Sequence, residues 1–141
     1  MRRPRGDDGT ILVLTLGFAG ILVVLVAVVV NVSAVVLAKR GVASAADGAA
    51  VSAAQALDLS TVYEQGLGSE IPLDPSAAVE RVLAYQDSAQ SAQPGLRLQV
   101  RVEGTTAVVT GVRRVTPPFP VLGTGPVDVT AVARARAPVV P

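Results

Sequence analysis

From Ile11 to Ala38 the chain runs through twenty-eight positions without a charge, most of them Val, Leu, Ile or Ala. At about 1.5 Å per residue a helix of that length reaches roughly 42 Å, against a bilayer hydrocarbon core of about 30 Å. The run therefore predicts a membrane span or an uncleaved signal anchor. A cleaved signal peptide competes with it, because Val32-Ser33-Ala34 has small residues at peptidase spacing. Against cleavage, the apolar stretch before that site is longer than the usual 7–15 residues or so. A soluble core helix this apolar would need a larger core than a chain of 141 residues can build.

Beyond Ala38 the pattern changes from Val and Leu to Ala. Residues 41–59 are alanine-rich and proline-free, which favours continuation of the same helix. Ala43, Ala46, Ala50, Ala53 and Leu57 form one stripe at three- and four-residue spacing. Such a thin face suits close helix packing or a partly exposed stalk. Gly66-Leu67-Gly68-Ser69 marks a loop over about 60–73. Asp74-Pro75 then opens a second helix, with Asp as N-cap and Pro in the first turn, running to about Ala92 before Pro94-Gly95. Its expected apolar face is Ala78, Val79, Val82, Leu83 and Ala89, with Tyr85 at the margin.

Period-two alternation follows. Leu96, Leu98, Val100 and Val102 alternate with polar residues, and Glu103-Gly104 is the expected two-residue hairpin turn. That register sets Val102 against Thr105, Val100 against Ala107 and Leu98 against Val109. The strand ends at Val115, since Thr116-Pro117-Pro118-Phe119-Pro120 cannot continue a ladder. Phe119, Val121 and Leu122 are expected to plug the domain edge. A last strand, 127–137, has a small inner face of Val127, Val129, Ala131, Ala133 and Ala135.

The fold class is therefore α+β: a long N-terminal transmembrane and stalk helix, then a small module of one helix on a roughly three-stranded, mainly antiparallel sheet. In these terms residues 1–10 are a cytoplasmic basic flank, 11–38 the transmembrane helix, 39–59 a helical stalk, 60–73 a loop and 74–141 the extracytoplasmic module.

Charge refines the picture in three places. Arg2, Arg3 and Arg5 precede the span and Lys39-Arg40 follow it, a weak vote for a cytoplasmic N-terminus. Residues 41–93 hold one basic and seven acidic side chains, whereas residues 94–141 hold six arginines and two acids, so the two parts can attract each other. Arg97, Arg101, Arg113 and Arg114, with Arg134 and Arg136, could line a basic sheet face for DNA or another anionic polymer. Without interleaved aromatics, nucleic acid is the weaker partner, and pairing with the acidic helix region is the simpler account.

Candidate chemistry is sparse. The chain has no cysteine and no histidine, which removes thiol catalysis, the usual zinc ligands and the usual general base. No cofactor and no enzymatic activity are expected. Asp7-Asp8 and Glu64/Glu70 read as solvated charge. Asn31 either lies at headgroup level or bonds to a partner helix. Asp47, alone in the alanine helix, either keeps the stalk soluble or contacts a partner. Together with Ala43, Ala46, Ala50 and Ala53 these two are the candidate packing residues.

With these segments in place, the chain resembles the TadE/TadG-like proteins of tight-adherence (Flp-type) pilus systems. The similarity lies in Arg5-Gly6-Asp7-Asp8-Gly9-Thr10 before the span, and in Leu37-Ala38-Lys39-Arg40 with Ala45-Ala46-Asp47-Gly48-Ala49-Ala50 after it. Phe119-Pro120-Val121-Leu122-Gly123 and Val127 to Ala135 extend it to the far end. TadE-like pseudopilins are prepilin-like, with a glycine at the cleavage point and a glutamate five residues later. Here the fifth residue after Gly6 is Ile11 and after Gly9 is Leu14, so the resemblance leans to the TadG-like branch. It implies a single-pass bacterial membrane component of pilus assembly or secretion. Its implied partners are membrane lipid, other pilus-system membrane proteins and other copies of itself.

Overall fold

The computed structural model describes residues 7–57, 72–120, 123 and 125–137. Arg2, Arg3, Arg5, Glu64, Glu70, the Gly66–Ser69 stretch, Val121 and Leu122 lie outside the described residues.

Helix α1 runs unbroken over Asp7–Ala54, forty-eight residues, or about 72 Å at 1.5 Å per residue. Its two parts live in different surroundings. Between residues 9 and 33 every position is exposed except Ala27 and Asn31, which are partly covered. From Val42 onward the same helix is a core element: Val42, Ala45, Ala46, Ala49, Ala50, Ala53 and Ala54 are buried. The alanine-rich portion is thus no stalk held clear of the module. It is the module's central helix, because a sheet and a second helix close over it and make its thin face sufficient.

Helix α2 spans Pro75–Ala89. Asp74 caps it as its sequence position predicts, Oδ1 accepting from Ser76 N at 2.8 Å and Ala77 N at 3.3 Å. Its buried positions are Ala78 and Val82, with Tyr85 and Ala89 packed against the core. Val79 and Leu83, expected in that face, stay about half exposed. Positions 78, 82, 85 and 89 make a narrow stripe at four- and three-residue spacing, and 79 and 83 fall on its flank.

Strands β1 (Arg97–Glu103), β2 (Thr106–Val115) and β3 (Val127–Arg136) form one antiparallel sheet in the order β1-β2-β3. Helix α1 packs over β3 and β2, and α2 over β1. Leu98, Ala107, Val109, Val129 and Ala133 point to the helices, and the alternate positions form the outer face.

The β1–β2 hairpin turns one residue later than the sequence suggests. Glu103 faces Thr106, Val102 faces Ala107, Val100 faces Val109 and Leu98 faces Gly111. Gly104 and Thr105 are therefore the turn, with Gly104 at φ +61°. Primed hairpin turns need positive φ at their first central position, where glycine sits without cost and glutamate does not. The register shifts by two residues, so every side chain keeps its face.

Two contacts let α1 approach closely. A Cβ on Gly111 of β2 would come within 3.0 Å of Val42 Cγ1, and one on Gly48 would come within 2.6 Å of Tyr85 Cζ. The outer edge of β1 is tied to α2 by glutamines: Leu98 N donates to Gln86 Oε1 at 2.6 Å, and Gln90 Nε2 donates to Leu96 O at 3.0 Å. Asp74 N donates to Ala56 O at 2.9 Å, and Leu57 bridges Leu73. The chain on either side of residues 58–71 is thereby held together.

Candidate functional site

Asn31 lies on α1 at the far end of the uncharged run, and its carboxamide pairs with one backbone unit of the β2–β3 connection. Its Nδ2 donates to Phe119 O, and Phe119 N donates to Asn31 Oδ1 at 3.0 Å. The local sequence selects this partner. In Pro117-Pro118-Phe119-Pro120 three residues have no backbone N–H, so Phe119 alone can offer a donor beside an acceptor. Asn31 presents the matching pair from one planar side chain. Its partner here is thus within the chain. Phe119 does not plug the module's edge as expected: its backbone is held on α1 while its side chain is 47% exposed. Pro117, two residues before it, is buried.

The stripe candidates separate into two groups. Ala46, Ala50 and Ala53 are fully or almost fully buried within the chain, so their close packing is spent on its own sheet and second helix. Ala43 is half-buried and Asp47 exposed. These two remain on the accessible side of α1.

The arginines do not share one face. Arg97, Arg101 and Arg114 stand on the outer sheet face, joined there by Arg134 and Arg136. Register places Arg101 and Arg134 on either side of Val108, and Arg114 beside Asp128. Arg113 alternates to the helix-covered side, half-buried, with its Nε lacking a hydrogen-bond partner. The outer face points away from α2, so among the described residues it does not meet Glu80 and Asp87 of that helix. Glu103 and Asp128 also stand on it, which makes it mixed in sign.

Among the described residues no three acidic side chains gather at metal-binding distance, and no charged side chain is fully buried. The sequence pattern missed two pairings that organise this end of the molecule, Asn31 with Phe119 and Gly48 with Tyr85. The signal for the first was present in the single N–H left among three prolines. The second had none, since a glycine in an alanine helix looks like one more small residue.

No curated protein and no solved structure matches the chain. A family model does, over the part of the chain that contains the exposed apolar helix and its continuation into the core; it does not separate the TadE from the TadG branch. Residues 9–56, about a third of the chain, match the model of a family described as putative Flp pilus-assembly TadE/G-like.

Proposed function

We propose that the protein is a non-catalytic, single-pass membrane component of a Flp/Tad-type pilus assembly or secretion system. Residues 11–30 or so of α1 cross the bilayer with the N-terminus cytoplasmic, and the α+β module stands outside and works through protein contacts. The observation that carries this reading is the unbroken passage of α1 from an apolar segment exposed at nearly every position into the centre of a packed module, within a TadE/G-like match. Large apolar side chains such as Leu22 and Leu25, with no cover inside the chain, need a non-aqueous surrounding. Among proteins of this kind, the TadG-like branch fits the lack of an acidic residue five positions after Gly6 (Ile11) or Gly9 (Leu14).

Fractionation of cells expressing the full-length chain tests the reading. The intact protein is expected in the membrane fraction after alkaline wash, with its module protected from protease until the outer side is opened. Loss of the gene is expected to impair pilus assembly. Recovery of intact protein in the soluble cytoplasm would overturn the proposal.

A second reading, an anchored or secreted module that binds an anionic polymer such as DNA, has one observation in its favour: Arg97, Arg101, Arg114 and Arg134 are exposed on one sheet face. Counterion release makes such binding strongly salt-dependent, so its absence at low ionic strength removes this reading.

A further inference from the structure

We propose that the Thr116–Pro120 loop is a second membrane contact, in which Asn31 holds Phe119 in the interfacial layer of the bilayer beside α1. The proposal rests on the reading of α1 as a membrane span and adds a lipid-facing surface to the module itself.

Depth comes first. About twenty helical residues cross the hydrocarbon core, which carries α1 from Ile11 to Val30 and leaves Asn31 at its boundary. Lys39, the first charged residue beyond, lies eight residues on, about 12 Å along the axis. Phe119, bonded to Asn31 through both its N–H and its C=O, is fixed at the same boundary and not at the height of the charges. The partly covered positions on this side of α1 are Ala27, Asn31, Ala34 and Val35, at helical spacing. That cover reaches one turn below Asn31, towards the interior of the span.

The loop is also chemically suited to that layer. Residues 115–127 contain no charge; Arg113-Arg114 and Asp128 bracket them. Placing backbone in an apolar medium is costly mainly through unsatisfied polar groups. Here three of the five loop residues are prolines without N–H, and Phe119 N is already bonded to Asn31. Only Thr116 brings a further amide donor. The exposed phenyl ring is of the kind that settles at the boundary of headgroups and acyl chains, while the exposed Arg114 at the base of the loop can extend to headgroups with its stem along apolar surface.

The chain contains no tryptophan, so single substitutions give single emitters. Phe119→Trp, Leu22→Trp and Val132→Trp would each be made in the full-length protein, reconstituted in phosphatidylcholine–phosphatidylglycerol vesicles with lipids brominated either near the headgroup or at mid-chain. The expected result is loss of most emission from Trp at 119 with headgroup-proximal bromine, from Trp at 22 with mid-chain bromine, and from Trp at 132 with neither. Trp at 119 as unquenched as Trp at 132, with Trp at 22 quenched, overturns the loop contact and leaves the anchor standing. An unquenched Trp at 22 instead overturns the anchor reading. Adding Asn31→Leu is expected to abolish quenching at 119 and leave it intact at 22; unchanged quenching at 119 refutes the positioning role of Asn31.

Discussion

Gly48 of α1 faces the ring of Tyr85 on α2 so closely that a single added carbon would stand within 2.6 Å of Tyr85 Cζ and nearer still to its hydroxyl. The two helices can approach only where one of them has no side chain. Glycine weakens a helix interior by about 1 kcal/mol relative to alanine, so this position is costly locally and is offset by packing.

Gly48→Ala is accordingly expected to destabilise the module despite the better helix former. Overpacking of a core contact costs about 1–3 kcal/mol, which exceeds the propensity gain over most of that range. Combining it with Tyr85→Ala should recover part of the loss relative to the sum of the two single changes. Urea unfolding of the full-length protein in detergent micelles measures the coupling, and simple additivity would refute the contact.

Ala46→Leu and Ala50→Leu should each lower module stability by about 1–3 kcal/mol, because both sites are closed by the chain itself, at 0% and 1% exposure. Ala43→Leu and Asp47→Ala lie on the accessible side and should leave folding unchanged. Protease resistance in membranes separates the two pairs. If Asp47 contacts a pilus-system partner, its alanine variant loses co-purified partner at normal protease resistance.

Asp74→Ala removes two capping hydrogen bonds at the start of α2 and should cost about 1 kcal/mol, with Asp74→Asn nearly neutral. Gly104→Ala should cost a similar amount, about 1–2 kcal/mol, since it places a Cβ at positive φ. Equal midpoints for Gly104→Ala and the parent would contradict the turn described above.

Reversing Arg101 and Arg134 to glutamate changes the outer sheet face without touching the core. The pilus-component reading expects folding and membrane level to stay normal, and retention on an anionic polymer to be weak before and after the change. Salt-sensitive retention by the parent, lost in the double variant, would favour the polymer-binding reading.

The elements were legible because each follows a one-dimensional rule. Asp74-Pro75 starts a helix, alternation from Leu96 marks a strand, and the paired prolines after Val115 end one. The side-chain environment of the alanine stripe was not legible, because spacing shows that Ala46, Ala50 and Ala53 share a face but not what covers it. The cover comes from α2, β2 and β3, the last of them more than seventy residues away. The hairpin register depended on which turn residue takes positive φ, and two glycine placements satisfy the same alternation. The sequence pattern sets Phe119 as a plug at the domain edge, whereas its backbone is held by the carboxamide of Asn31, a feature that hydrophobic patterning does not encode.

The packing of α1 on β3 joins the first element of the chain to the last described strand. The core helix is made long before this part of its cover, and the burial of its alanines is complete only once residues 127–136 have joined α2 and β2 against it. A chain cut short before β3 keeps its long helix but leaves part of that helix uncovered and open to proteases. Contacts of such sequence separation slow folding, so the fully packed state of α1 waits on the last described strand to be made.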